Sequence, residues 1–306
     1  MKRDLISILD LTPADLSELL HSAARLKEQR NLGVLQEPLG KRTLGMIFEK
    51  ASTRTRISFE VGMFELGGHA LFLNAQDLQL GRGEEIRDTA RVFSRYVSAV
   101  MIRAFRHETI TEFARYSTIP VINGLSDREH PCQILADLLT LKEQFGSLEH
   151  LTIAWIGDGN NVCNSLMLSS ALTGYTVKVA TPPEYQPSGE ILRKAREAGA
   201  DVTLYSSPNE AVSGADVVYT DTWVSMGSES EHEERMARFS GFTVTEELLR
   251  TEAPDALVMH CLPAHRGEEI TDGVMEGPQS IIWEQAENRL HAQKALLVML
   301  ITGSSG

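Results

Sequence analysis

Short apolar runs alternate with helical stretches along this sequence, and the alternation starts afresh near its middle. The first series reads "RTLGMIF", "HALFLN", "AVMIRAF" and "PVINGL", with helical patterns beginning at Ser52, Glu84 and Glu108 between them. The second reads "LTIAWIG", "TVKVA", "DVTLY", "ADVVYTD" and "DALVMHCL", again interleaved with helices such as "SLMLSSAL" and "EILRKAREAG". Strands that are apolar throughout, rather than on every second residue, are covered on both faces, and joined through helices they run parallel. The expected fold is therefore α/β, with two doubly wound domains built on parallel central sheets. The first domain is expected over residues 1–132 together with 287–306, and the second over 133–286. The helix "HPCQILADLLTLKEQFG" would bridge them, and the last helix, "IIWEQAENRLHAQKALLVMLI", is long enough to cross back. Ahead of the first strand, "LTPADLSELLHSAARLKEQR" reads as a helix capped by Thr12 with Pro13 at its first position.

Composition removes several classes of function. At 306 residues the chain fits two domains and needs no staples to build a core. Lys and Arg number 29 against 42 Asp and Glu, a formal net charge of −13, which argues against general affinity for nucleic acid or anionic membrane. Cys132, Cys163 and Cys261 lie far apart with no CxxC spacing, so neither a disulfide framework nor a zinc site is indicated. No run approaches the roughly 20 apolar residues of a membrane span, and a cytoplasmic protein is expected. The patch "GSESEHEER" at 227–235 reads as a surface loop or a lid, and the closing "GSSG" as a frayed tail.

In doubly wound folds ligands collect beyond the carboxyl ends of the strands, where helix N-termini point. The stretch "STRTR" follows the strand "TLGMIF" and opens a helix, and it places Arg54 and Arg56 in the first turn. Cations there oppose the helix dipole. They become favourable when a dianion lies among them, held by guanidinium groups, hydroxyls and backbone N–H groups. At "REHPCQ" the device recurs: His130 precedes Pro131, Gln133 sits in the first turn, and Arg103 ends the strand "AVMIR". In the second half, "IAWIGDGNNV" also joins a strand to a helix, which raises a dinucleotide-binding alternative. That fingerprint needs a third glycine where Val162 stands, and the acidic residue expected about 20 positions on is missing. By itself Cys261, ending an apolar strand, is an ordinary core residue.

Taken together, "STRTR", "HPCQ", "GDGNN", "DTWVSMG", "HCLPAHRG" and "ENRL" resemble the signatures of the aspartate/ornithine carbamoyltransferase family, in order and over nearly the whole chain. "DTWVSMG", "HCLP" and a loop carrying Gln79 in place of a lysine resemble the ornithine branch. The resemblance implies that Ser52, Thr53, Arg54 and Thr55 hold the phosphate of carbamoyl phosphate, with Arg56 in support. Arg103, His130, Gln133 and Thr55 would polarise and orient its carbamoyl group, and Arg289 would reach the same site from the last helix. Cys261 and Leu262 would line the reaction centre. Asn161, Asp221, Ser225 and Met226 would hold ornithine, with Asp221 and Cys261 steering its amine. Arg103, His130, Asp221 and Cys261 are thus the catalytic candidates. Gln79 would enter a neighbouring subunit's site, since family members are trimers with shared sites, sometimes assembled further. The implied reaction gives citrulline and phosphate and requires no metal or organic cofactor. Two rivals remain: a putrescine or other amine carbamoyltransferase, and a non-catalytic carbamoyl-phosphate-binding protein.

Overall fold

A computed structural model describes residues 2–79, 83–224 and 231–303. The chain divides into two units, Met1–Leu139 with Glu287–Gly306, and Thr140–Ala286. Both carry parallel sheets.

The first unit holds β1 (Thr43–Phe48), β2 (His69–Asn74), β3 (Ala99–Arg103) and β4 (Val121–Leu125), in the order β2-β1-β3-β4. β3 is buried along its whole length, as its unbroken apolar run requires. Phe93 and Phe113, from the helices Ile86–Tyr96 and His107–Tyr116, meet edge to face at 5.9 Å over this core. β2 departs from the expectation of a strand covered on both faces. It forms one edge of the sheet, and Leu71 and Phe72 are exposed.

The second unit holds β5 (Thr152–Ile156), β6 (Thr176–Ala180), β7 (Asp201–Tyr205), β8 (Val217–Thr220) and β9 (Leu257–His260), in the order β7-β6-β5-β8-β9. Trp223 stacks on Phe239 at 5.2 Å in its core, and Trp155 packs on Tyr219 at 5.0 Å. In each sheet the chain reverses its winding direction at one place, between β1 and β3 and between β5 and β8. Such a reversal opens a crevice at the strands' carboxyl ends. The register brings Phe48 beside Arg103 at the first crevice and Ile156 beside Thr220 at the second.

Local signals explain the helices that frame these crevices. Thr12 caps the helix Pro13–Asn31 through a capping box with Asp15. Ser52 caps Thr53–Glu65, accepting from Thr55 N–H at 3.3 Å. The first unit extends to Leu139, inside the helix Pro131–Phe145, rather than stopping at 132. The first turns of that helix are tied to residues of the same unit, because Gln133 bonds both Asp137 and Arg289. The patch expected as a loop is helical from His232 to Arg238. Glu231 and Arg235 pair across one turn at 2.9 Å there, and Arg235 also stacks over the Tyr185 ring. Residues 227–230 and the terminal 304–306 lie outside the described residues.

From Glu287 onward the long helix Ile282–Thr302 belongs to the first unit. Its Lys294 is almost fully buried and donates to Glu65 Oε2 at 2.7 Å, while Arg30 donates to Glu65 Oε1 at 2.7 Å. Removing one partner of a buried pair strands the other. Lys294→Met is therefore expected to destabilise the first unit by about 3–5 kcal/mol. Denaturant unfolding should show this, and adding Glu65→Leu to the same chain should recover most of the loss.

Candidate active site

At the crevice of the first unit, four segments converge. The start of Thr53–Glu65 contributes Thr55, whose Oγ1 accepts from Ser52 Oγ at 3.1 Å. Thr55, Arg103, His130, Gln133 and Arg289 are all buried, and Arg54 is half-buried. Arg289 donates from Nη1 to Gln133 Oε1 at 2.6 Å and from Nη2 to Thr55 Oγ1 at 3.2 Å. The final helix thus locks its guanidinium to the N-termini of two others. Burial, and then the positive charges of Arg289, Arg103 and Arg54, push the His130 imidazole well below its ordinary 6.5. His130 is therefore neutral at pH 7, a hydrogen-bond donor surrounded by three guanidinium groups. Positive charge gathered at helix N-termini is a receptor for an anion.

Not every predicted residue joins this group. Arg56 is exposed, pairs with Glu60 at 3.0 Å and lies over the Phe72 ring at 3.9 Å. An i,i+4 partner and an aromatic face satisfy it on the surface. Ser52 is half-buried and Thr53 exposed at the mouth of the same helix. Gln79 is exposed, its carbonyl accepting from Glu84 N–H at 3.0 Å. Cys132 directs its Sγ–H at the Asn123 carbonyl at 3.4 Å, and burial pushes its thiol up to about 12 against the opposing charge of Arg289.

At the crevice of the second unit, Asp221 follows β8 and is buried. Its Oδ2 accepts from Asn160 Nδ2 at 2.7 Å, and its Oδ1 from Thr222 N–H at 2.8 Å. Asn160 was not among the predicted site residues, although an Asn just before a helix is a readable cap signal. Its Oδ1 accepts from Val162 N–H at 2.9 Å and Cys163 N–H at 3.1 Å, capping the helix Asn161–Thr173. Those are N–H groups that a dinucleotide's pyrophosphate would need, which disfavours that alternative. Asn161 opens the helix and is half-buried. At Gly159 a Cβ would collide with the backbone of Gln186 and Pro187, so the loop closes only on glycine. Burial raises Asp158 to about 6, opposed by Arg235, which donates to it at 2.8 Å.

Beyond β9, Cys261 and Leu262 are partly buried, and the Leu262–Pro263 peptide is cis. Leu262 adopts φ 59, uncommon for a branched side chain. Its N–H donates to His260 Nδ1 at 2.8 Å, so that ring's Nε2 carries the hydrogen it donates to Glu269 Oε1 at 3.0 Å. One ligand atom each of Asp221, His260 and Cys261 lies within 4.8 Å of the others. Ser225 and Met226 lie outside the described residues.

The first crevice thus offers a receptor for an anion and the second a buried carboxylate, each at a winding reversal. The model of the carbamoyl-phosphate-binding domain of aspartate/ornithine carbamoyltransferases matches residues 3–143, and that of the Asp/Orn-binding domain matches 149–300. The chain belongs to the aspartate/ornithine carbamoyltransferase family. It is 65% identical over 303 residues to the ornithine carbamoyltransferase of Methanoculleus marisnigri, covering 99% of this chain and 98% of that one. It is 59% identical over 302 residues to that of Methanocorpusculum labreanum, covering 99% of each. Among solved structures, ornithine carbamoyltransferase from Pyrococcus furiosus matches with a TM-score of 0.95 at 50% identity, covering 99% of this chain and 98% of that one.

Two measurements check this geometry. The His130 imidazole signals in NMR are expected to titrate well below 6.5, and inorganic phosphate in the crevice should move that titration upward, since an anion favours the charged ring. Because the unfolded chain takes up this proton first, stability is expected to fall as pH drops below 6.5. Separately, Asn160→Ala should destabilise the second unit by about 0.5–2 kcal/mol through loss of the cap. Asn160→Ser, which keeps an acceptor, should restore most of that in calorimetry.

Proposed function

We propose that this chain is an ornithine carbamoyltransferase, passing the carbamoyl group of carbamoyl phosphate to the side-chain amine of L-ornithine to give L-citrulline and phosphate. The observation that carries the reading is the gathering of Arg54, Arg103 and Arg289 around His130. A carbamoyl phosphate dianion neutralises that cluster. Its phosphate sits at the N-terminus of Thr53–Glu65, against Arg54 and the hydroxyls of Ser52, Thr53 and Thr55. Its carbonyl oxygen faces Arg103, His130 and Thr55, and its NH2 group donates to Gln133.

The amine nitrogen attacks the carbonyl carbon and negative charge grows on the carbonyl oxygen. Donors fixed in advance stabilise that charge, and losing one such donor typically costs about 10²–10³ in rate. Neutral His130 suits the task, because it donates without having to give up a proton. The carbon–oxygen bond to phosphate then breaks, and Arg54 and Arg289 hold the departing dianion. The attacking amine must be neutral, whereas an alkylammonium has an ordinary pKa of about 10.4. Asp221 and Cys261 steer the amine and the proton it gives up, while Asn161, Ser225 and Met226 hold the α-amino acid end. Asn160 keeps the Asp221 carboxylate aimed.

The same reading proposes a homotrimer. Ile57 and Phe64 on the helix Thr53–Glu65, and Leu71 and Phe72 on the edge strand β2, leave an apolar face exposed on the isolated chain. A second copy covers it, and Gln79 enters the partner's site. Free thiols at Cys132, Cys163 and Cys261 fit a reducing, cytoplasmic setting. Among the described residues no helix is long and apolar enough to cross a membrane.

The direct test is citrulline formation from carbamoyl phosphate, with putrescine, N-acetylornithine and aspartate compared as acceptors. Ornithine is expected to be preferred, and a preference for putrescine would overturn the assignment. Arg54→Ala should lower kcat/KM for carbamoyl phosphate by about 10²-fold or more. Mixed trimers of separately inactive Gln79→Ala and Arg103→Ala chains should regain activity. No recovery in verified mixed trimers would remove Gln79 from a shared site.

A further inference from the structure

The turn after "HCLP" carries a group of side chains that the carbamoyl-transfer chemistry does not use. Glu269 is fully buried. Its Oε1 accepts from His260 Nε2 at 3.0 Å and from His265 N–H at 2.6 Å. Its Oε2 has no hydrogen-bond partner and lies 3.8 Å from His265 Nδ1. Next to it, Glu268 also has a buried oxygen, Oε2, without a partner, while its Oε1 meets His232 Nε2 at 3.3 Å. The turn is closed by Glu268 N–H on His265 O at 2.9 Å and Gly267 N–H on Ile270 O at 2.9 Å. As a result, one ligand atom each of His265, Glu268 and Glu269 lies within 4.8 Å of the other two.

We propose that His265, Glu268 and Glu269 bind a divalent transition-metal cation, Zn²⁺ in preference to Mg²⁺. A carboxylate oxygen removed from water without a donor is costly; Glu268 and Glu269 each keep one such oxygen, and each brings a ligand atom within 4.8 Å of one on His265. A proton on His265 cannot satisfy both, since Nδ1 offers a single hydrogen and already faces Thr222 Oγ1 at 3.0 Å. A dication satisfies all three groups together. Donors about 2.0–2.2 Å from a tetrahedral ion stand roughly 3.3–3.6 Å apart, so the 3.8 Å separation closes with a small rotation of the half-exposed His265 ring. One imidazole with two carboxylates suits zinc-class ions and leaves one position for water, whereas Mg²⁺ favours oxygen-only octahedra. Binding draws His265 away from Thr222, the residue after Asp221, so occupancy is felt beside the amino-acid half of the candidate site.

The nearby trio Asp221, His260 and Cys261 could also take a soft metal, and the test separates the two. Zn²⁺ binding is measured by competition with a chromophoric chelator in the full-length Cys261→Ser chain. One ion per chain is expected, and adding His265→Ala or Glu268→Gln should weaken it at least tenfold. Both residues reach the surface, and circular dichroism checks that each variant folds. Co²⁺ in the wild-type chain should add a site lacking a thiolate charge-transfer band. Three results would each overturn the proposal: no Zn²⁺ uptake, uptake that vanishes in Cys261→Ser, or affinity unchanged by His265→Ala.

Discussion

Three guanidinium groups held around a neutral imidazole are the constraint on which the first unit is organised. Each lies in surroundings that the others make less favourable, and two of them, Arg103 and Arg289, are buried. Such an arrangement persists only because rigid partners impose it. Arg289 is held by Gln133 and Thr55, and the helix that carries it is anchored five residues on by the buried Lys294–Glu65 pair. Arg103 is placed by its strand, whose last pairing aligns it with Phe48 just before the "STRTR" turn. The field that results has one natural complement, a small dianion, and burial together with that field keeps His130 neutral.

The sheet order decides where this can happen. In both units the chain winds one way, returns to the middle and winds the other way, leaving a crevice between the two central strands. In the first unit the crevice collects cations. In the second it collects Asp221, steadied by an asparagine that also caps the neighbouring helix. A single side chain thereby fixes both the helix start and the carboxylate. The division of labour between a phosphate-receiving unit and an amine-receiving one follows from which residues the strand ends carry.

Much of this was legible in the sequence because the relevant signals are local. Continuous apolar runs announced parallel strands, and Ser52 and Thr12 announced helix starts where the structure has them. Arg54, Arg103, His130, Gln133 and Arg289 were readable as a group through resemblance, and the structure brings them together in one unit. What failed depended on neighbours far along the chain. The acidic patch near 230 looked like a loop, since nothing local reveals that Arg235 reaches Asp158 and the Trp223 carbonyl, both at 2.8 Å. β2 reads as a covered strand because an apolar run does not say whether it lies at the middle or the edge of its sheet. Nothing local in the sequence marks His265, and only the fold sets it against Glu269 and Thr222.

The central claim is that a dianionic substrate belongs among Arg54, Arg103 and Arg289, and it is tested most directly by a crystal structure of the chain with a phosphonate bisubstrate analogue. The account predicts the phosphonate at the N-terminus of the helix Thr53–Glu65, within hydrogen-bond distance of Arg54, with Arg56 still on Glu60. A phosphonate lodged elsewhere, with Arg54 extended into bulk water, would contradict it.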